Sequence, residues 1–382
     1  MLSFEKRVAG VLYGTAYGDA LGATIEKLTS TEIQEQYGYV TDIRNKWYKE
    51  SWPPSERNNR MRGNGIITDD TLMTMALLDV YLELNRHIDA YDMGNQFVKQ
   101  VVYTKRYIPE FGREATIQER LFYPEQYIFM RHVLANCEPR EGGIGNMINC
   151  GAAMYIAPIG IVNAGNPSAA YDEAILFGLG HQASYGLEAA AVLAACVAKG
   201  FQPDVTIYQI IETAISLAKD GTKAAIIAIV KKAKELQGQG DDRPLVIKEF
   251  HAVLAEFSPM GEDVHRKVEK LGIPSNHYTP SRLFSIEELP MALGYLVLHE
   301  GDFDKAVQDG VNSGRDTDSI GVMVGVIAGA MYGEEMISKE DKQLLSERNQ
   351  IDFEQYTNKF TKTATQIIKN DIAQMEQQKN II

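Results

Sequence analysis

Apolar residues along the chain recur mostly at helical spacing, and no regular alternation of strand and helix segments is found, so the pattern predicts an all-α fold. Residues 4–26 read as a helix rich in Gly and Ala, whose small side chains let a neighbouring helix approach closely. Residues 30–67, with WPPSERNNRMRGNG inside them, break the pattern and read as an irregular loop. From Thr68 the run TDDTLMTMALLDVYLEL is apolar on most faces, as expected of a helix at the centre of a bundle. A loop carrying Pro109, Gly112, Gly142, Gly143 and Gly145 surrounds a helix expected near 117–136, and INCGAAMYIAPIG opens a further apolar segment. SYGLEAAAVLAACVAKG reads as a buried helix, as does the stretch following the acidic turn in SGRDTDSIGVMVGVIAGAMYG. Residues 219–275 are richer in Lys, Glu and Gly and read as exposed helices forming a charged insertion, while the tail near 338–382 is charged and amphipathic. With no low-complexity linker and no fixed-period repeat, residues 1–382 are expected to form one domain.

Composition narrows the function. Apolar residues at 45% and charged residues at 23% describe an ordinary folded protein. A formal net charge of −13 would repel a phosphate backbone, so nucleic acid is not an expected partner. Cys137, Cys150 and Cys196 are odd in number and show no CxxC spacing, which suggests reduced thiols and a cytoplasmic protein. The run VAGVLYGTAYG after Lys6 and Arg7 loosely imitates a secretory signal but reads as a buried first helix. No stretch reaches the ~20 apolar residues of a membrane span, so no membrane partner is expected.

Two acidic turns carry the candidate chemistry. Thr68, Asp69 and Asp70 begin one buried helix, and Asp316, Asp318 and Ser319 begin another. Either turn alone can be explained as helix capping, because side-chain oxygens satisfy free N–H groups and carboxylates favour the positive end. Together they put four carboxylates at the starts of helices too apolar to face solvent, where unpaired charges cost several kcal/mol each. No Lys or Arg cluster flanks either turn beyond Arg315, so divalent cations are the natural compensation. An EF-hand fails, because Ile320 and Ile327 occupy loop positions that should supply ligands. A pair of Mg²⁺ or Mn²⁺ ions sharing carboxylates fits better.

GDALGATIE (18–26), GIITDDTLM (65–73), GAAMYIAPIG (151–160) and GRDTDSIGVMVGVIAGAMYG (314–333) resemble the ADP-ribosylglycohydrolase family, with the first motif closest to its dinitrogenase-reductase-activating branch. The resemblance implies an orthogonal multi-helix bundle that removes ADP-ribose from modified protein side chains or small molecules with a binuclear Mg²⁺ or Mn²⁺ centre. It implies Thr68, Asp69, Asp70, Asp316, Asp318 and Ser319 as metal ligands, and Glu26, Asp70 and Asp318 as the catalytic carboxylates. For Glu26 a solvated helix-end charge is the competing reading. PEFG supplies Glu110 and Gly112 where relatives carry an acidic residue before Ile-Gly, a looser match for which an incidental carboxylate is the alternative. Gly151 and Ala152 are expected to offer backbone N–H groups to a pyrophosphate, and His181 aligns with a substrate-side His but reads equally as a hydrogen-bonded core His.

Two departures bear on substrate: Cys150 stands where relatives commonly carry Asn, and Tyr155 where they carry Arg. Loss of that cation keeps open hydrolysis of a small N-riboside without a diphosphate, and a non-catalytic binding relative is the third reading. GLGHQA (178–183) matches a dinucleotide fingerprint, but its flanks read as helix where the fingerprint requires strand and turn. HExxH, P-loop and G-x-S-x-G motifs are absent.

Overall fold

Glycines at four-residue spacing decide how the bundle is assembled. The first helix, Phe4–Ala23, lies antiparallel to the helix Thr317–Tyr332, with Gly10, Gly14, Gly18 and Gly22 set against Gly329, Gly325, Gly321 and Thr317. A Cβ on Gly18 would stand 2.1 Å from the carbonyl oxygen of Gly321, so backbone meets backbone with no room for a side chain. Both helices are buried along nearly their whole length. Buried Arg7 closes one end of the pair: its Nη1 donates to the carbonyls of Gly200 (2.9 Å) and Met331 (2.8 Å), which end two helices and would otherwise lack donors.

The structure is a computed structural model and describes residues 2–257 and 285–381. Around the glycine pair stand the helices Asp69–Leu84, Ser184–Gly200 and Ser285–Leu298, joined in one hydrophobic core. The amphipathic tail is not free of it. Helix Phe353–Lys379 docks Phe353 on Tyr13 and Phe360 on Tyr81, with ring centroids 5.0 and 5.9 Å apart. Among the described residues no helix is long and apolar enough to cross a membrane.

The expected all-α fold holds, with local differences. The stretch 30–67 contains a helix, Ser30–Tyr37, started by a reciprocal cap between Thr29 and Glu32 that lies outside any apolar periodicity. Residues 105–116 form a small antiparallel hairpin, Lys105–Ile108 with Arg113–Thr116, whose four-residue strands are too short to show alternation. The helix expected near 117–136 is two helices, Ile117–Arg120 and Tyr123–Ala135, the second restarting at Pro124. Within the charged stretch 219–275, helices Asp220–Glu235 and Arg243–Ala255 bury Ile226, Ile229, Phe250 and Leu254 in the common core rather than standing clear of it. Residues 258–275 of that stretch lie outside the described residues.

Because a methyl group at Gly18 overlaps a carbonyl of the facing helix, Gly18→Ala should destabilise the protein by about 1–3 kcal/mol through overpacking. Urea denaturation measures this, and an unchanged midpoint would mean that the helices are free to separate.

Candidate metal centre

The glycine contact carries the end of the first helix onto the start of Thr317–Tyr332. The Thr317 hydroxyl donates to the Gly22 carbonyl (2.8 Å), the Lys27 N–H to the Arg315 carbonyl (2.8 Å), and the Arg315 N–H to the Leu28 carbonyl (2.8 Å). Arg315 adopts a left-handed φ of 75° to make this turn. Glu26, Asp316 and Asp318 are thereby brought together, with one oxygen of each within 4.8 Å of the others. The acidic turn at 68–70 joins through Ser319, whose hydroxyl donates to Asp70 Oδ1 at 3.0 Å across 249 positions of sequence.

Capping does not account for these carboxylates. Thr68 makes no side-chain cap bond to its own helix. The cap is Asp19, a fully buried residue of the first helix, which accepts from the N–H groups of Thr68 (2.9 and 3.0 Å) and Thr71 (3.1 Å) and from the Thr71 hydroxyl (2.5 Å). Asp316 likewise makes no side-chain cap bond. Sequence reasoning passed over Asp19 although it lies inside GDALGATIE; its place one residue after Gly18, in a helix buried all round, was the available signal.

The expected absence of cations is corrected. Arg62, from the irregular segment, pairs with Glu26 and with Glu110 (2.8 Å), and Arg120 pairs with Asp69 and Glu110. Arg62 lies six residues before Thr68 in the irregular segment and Arg120 some fifty residues after it, and neither position shows in sequence which carboxylates the side chain meets. Burial disfavours the charge on Glu26, but Lys27 and Arg62 outweigh it and hold the carboxyl well below its usual range. Asp70, Asp316 and Asp318 make no ion pair among the described residues. Burial pushes all three up, reinforced at Asp70 by repulsion from Asp19, Asp69 and Asp316, and at Asp318 by repulsion from Glu26, Asp70 and Asp316. A buried set of carboxylate oxygens with the hydroxyls of Thr68 and Ser319 beside it, short of positive charge, fits a hard divalent cation.

The other expected site residues fall elsewhere. Glu110 is neither incidental nor turned to a substrate: it is fully buried in the hairpin turn, and although burial opposes its charge, Arg120, Arg62 and Arg60 bring its carboxyl to about 2. Gly112 takes φ of 61° to complete that turn and donates its N–H to the Ile108 carbonyl. His181 and Tyr155 are fully buried; Tyr155 Oη lies 2.7 Å from His181 Nδ1, and His181 Nε2 pairs with Glu125. They form a polar network packed against Phe97 and Phe129, as a core histidine would. The Gly151 N–H is already donated to Asn149 Oδ1 (3.0 Å), and Ala152 is fully buried, so neither forms an open anion cradle.

The sequence profile of the ADP-ribosylglycohydrolase family matches residues 2–370. The protein YegU of Escherichia coli (strain K12) is 24% identical over 94% of this chain and 97% of its own. The ADP-ribosylhydrolase ARH3 of Xenopus tropicalis is 25% identical over 88% of this chain and 90% of its own. The ADP-ribosyl-[dinitrogen reductase] glycohydrolase of Rhodospirillum rubrum is 31% identical over 44% of this chain and 48% of its own. Among solved structures, an ADP-ribosylglycohydrolase-related protein complex shares the fold at a TM-score of 0.57 and 19% identity, covering 94% of this chain and 99% of that one.

The charge distribution predicts an unusual pH response. Asp19 is pushed up to about 6 by burial, and Asp70, Asp316 and Asp318 are raised as well, so the folded protein binds protons that the unfolded chain does not. In EDTA, stability should therefore rise as pH falls from about 6 toward the ordinary carboxyl value of 3.8. Glu26 and Glu110, held below the usual 4.5, act in the opposite sense only below that value. Excess Mg²⁺, which needs the ionised carboxylates, should reverse the slope. Thermal melts between these limits check this, and a metal-free midpoint that falls on acidification would contradict the arrangement.

Proposed function

Since the chain belongs to the ADP-ribosylglycohydrolase family and is a glycosidase-type hydrolase, we propose that it cleaves the ribosyl bond of an ADP-ribosylated protein side chain or small molecule at the carboxylate centre. The observation that carries this reading is the convergence of Asp70, Asp316, Asp318 and Glu26 from opposite ends of the chain in a buried site where, among the described residues, the three aspartates have no ion-pair partner. Asp70, Asp316 and Asp318 would hold two Mg²⁺ or Mn²⁺ ions, with Thr68, Asp69 and Ser319 as further ligands. Asp69 would then share its carboxylate with Arg120. When bound, such ions supply Lewis acidity that favours ionisation of water and holds vicinal ribose hydroxyls.

The chain's own groups do the rest. Cleavage builds positive charge at the anomeric carbon, and an ionised carboxylate nearby stabilises it. Glu26 suits that role, because Arg62 and Lys27 keep it charged at neutral pH. The same low pKa makes it a weak proton acceptor, so it orients water or a ribose hydroxyl by accepting a hydrogen bond rather than by storing the proton. Arg62 also donates to the Ala23 carbonyl (3.0 Å) and to Glu110, which fixes Glu26 in one position. Ser319 orients Asp70 in the same way.

The substrate reading draws on the rim. Lys27 lies over the Phe122 ring and Lys49 over the rings of Tyr48 and Trp52, which offers cations and aromatic faces to a nucleoside diphosphate. A small N-riboside without a diphosphate is supported instead by the occupied N–H of Gly151 and the burial of Tyr155. Hydrolysis assays with ADP-ribosyl-arginine, ADP-ribosyl-serine and free ribosides, each with Mg²⁺ and Mn²⁺, separate the two. Three free cysteines support a reducing, cytoplasmic setting.

Two substitutions test the centre on the best substrate. Glu26→Gln should lower single-turnover rate by roughly 10²–10³-fold, the usual weight of one preorganised electrostatic group, while sparing metal affinity more than rate. Asp318→Asn should retain the fold but lose most turnover. Parental turnover by Asp318→Asn at metal concentrations that saturate the parent would remove the metal-carboxylate mechanism.

A further inference from the structure

A second set of donors adjoins the carboxylate centre and differs from it in chemistry. Cys150 Sγ, a carboxylate oxygen of Glu288 and one of Asp316 all lie within 4.8 Å of one another, and all three residues are buried. The three arrive from separate parts of the fold: the turn before the short helix Ala157–Val162, the first turn of Ser285–Leu298, and the acidic turn at 316. Cys150 donates its S–H to Asp316 Oδ2 at 3.0 Å and lies 3.3 Å from the Ser319 hydroxyl.

Glu288 is what turns this contact into a site. Its side chain is only 1% exposed, and among the described residues neither carboxylate oxygen has a hydrogen-bond partner. A buried carboxylate without donors is costly, and buried acceptors almost always have a partner. Beside it stand the thiol of Cys150 and the carboxylate of Asp316, an acceptor that cannot satisfy it, while the nearby Arg315 is paired with Glu287. A cation between the three supplies the missing partner.

A thiolate with two carboxylates is not the donor set of Mg²⁺, which prefers oxygen alone; sulfur selects softer ions, of which Zn²⁺ readily takes Cys with Asp or Glu. We propose that Cys150, Glu288 and Asp316 form a Zn²⁺ site beside the hydrolytic centre. Binding converts the Cys150 thiol to thiolate and releases its proton to solvent, so the S–H bond to Asp316 is exchanged for two bonds to one cation. Because Asp316 belongs to both donor sets, Zn²⁺ there withdraws a carboxylate from the hydrolytic ions and inhibits them. This consequence for activity rests on the hydrolytic reading above, whereas the binding site does not.

Co²⁺ serves as the spectroscopic probe for the Zn²⁺ position in the full-length protein. Titration should produce one equivalent of a thiolate-to-cobalt charge-transfer band, removed by Zn²⁺ and absent from Cys150→Ser. Glu288→Gln, which keeps the shape of the side chain, should weaken Co²⁺ by at least the roughly 10–100-fold that losing even an outer-shell partner costs. With Mg²⁺ present, Zn²⁺ should inhibit hydrolysis by the parent and do so less in Cys150→Ser. Absence of the band in the parent overturns the site, and so does its survival in Cys150→Ser, which would assign the thiolate to Cys137 or Cys196. A band without hydrolysis of any ribosyl substrate upholds the site and sinks the hydrolytic reading, while hydrolysis without a band does the reverse.

Discussion

Close backbone contact between the helices Phe4–Ala23 and Thr317–Tyr332 sets the position of everything chemical in this molecule. With glycine facing glycine at successive turns, the two helices have little freedom to slide or rotate, because any other register drives side chains into the opposing backbone. The contact is costly for each helix taken alone, since glycine is a poor helix former. What offsets that cost is burial on every side, together with the docking of the helices that surround the pair. A site assembled from residues more than 200 positions apart then inherits the rigidity of its scaffold, which is what a constellation of charges needs if its geometry is to survive.

The carboxylates divide into two groups by the partners the fold supplies. Glu26, Asp69 and Glu110 form a chain of ion pairs with Arg62 and Arg120, which hold Glu26 and Glu110 ionised. Asp70, Asp316 and Asp318 have hydroxyl, thiol or backbone donors but, among the described residues, no arginine paired with them. The division suits the proposed function: arginine fixes the outer carboxylates as negative charge, and the inner three, without an ion pair among the described residues, would be left for a cation. A fold selected for stability alone would neutralise all six, because each uncompensated buried charge costs several kcal/mol. Asp19 shows the alternative use of a buried carboxylate: the four hydrogen bonds it accepts from Thr68 and Thr71 make it a structural cap.

Much was legible in the sequence, for reasons of locality. Helical periodicity identified the core segments, the Gly and Ala content of residues 4–26 announced a close helix contact, and TDDT and DTDS identified helix starts rich in oxygen. Each of these is written within a window of about two turns, where residue type acts directly on its neighbours. The same locality explains the failures. The hairpin at 105–116 has strands too short for a period to emerge, and Ser30–Tyr37 is stabilised by its cap rather than by a continuous apolar face.

What a residue's charge or hydroxyl does depends instead on distant partners, and that only the tertiary structure decided. Asp19 caps a helix that begins 50 residues later, so the carboxylates written next to that helix are released from capping. Arg62 and Arg120 reach the acidic cluster from a loop and a short helix whose local composition says nothing of the carboxylates they meet. His181, which reads in sequence equally as a substrate-side or a core histidine, is enclosed with Tyr155 and Glu125 in the core. Glu288 reads in sequence as an ordinary acidic residue in the first turn of a helix, yet the packing of Ser285–Leu298 buries it against Cys150 and Asp316. Sequence by itself determined which long segments are helical, that the first helix could be closely approached by a neighbour, and where side-chain oxygens were concentrated, since local sterics and hydrophobicity govern all three. Which carboxylate is capped, paired or left for a cation was decided by tertiary packing, because electrostatic energy depends on burial and on neighbours in space rather than in sequence.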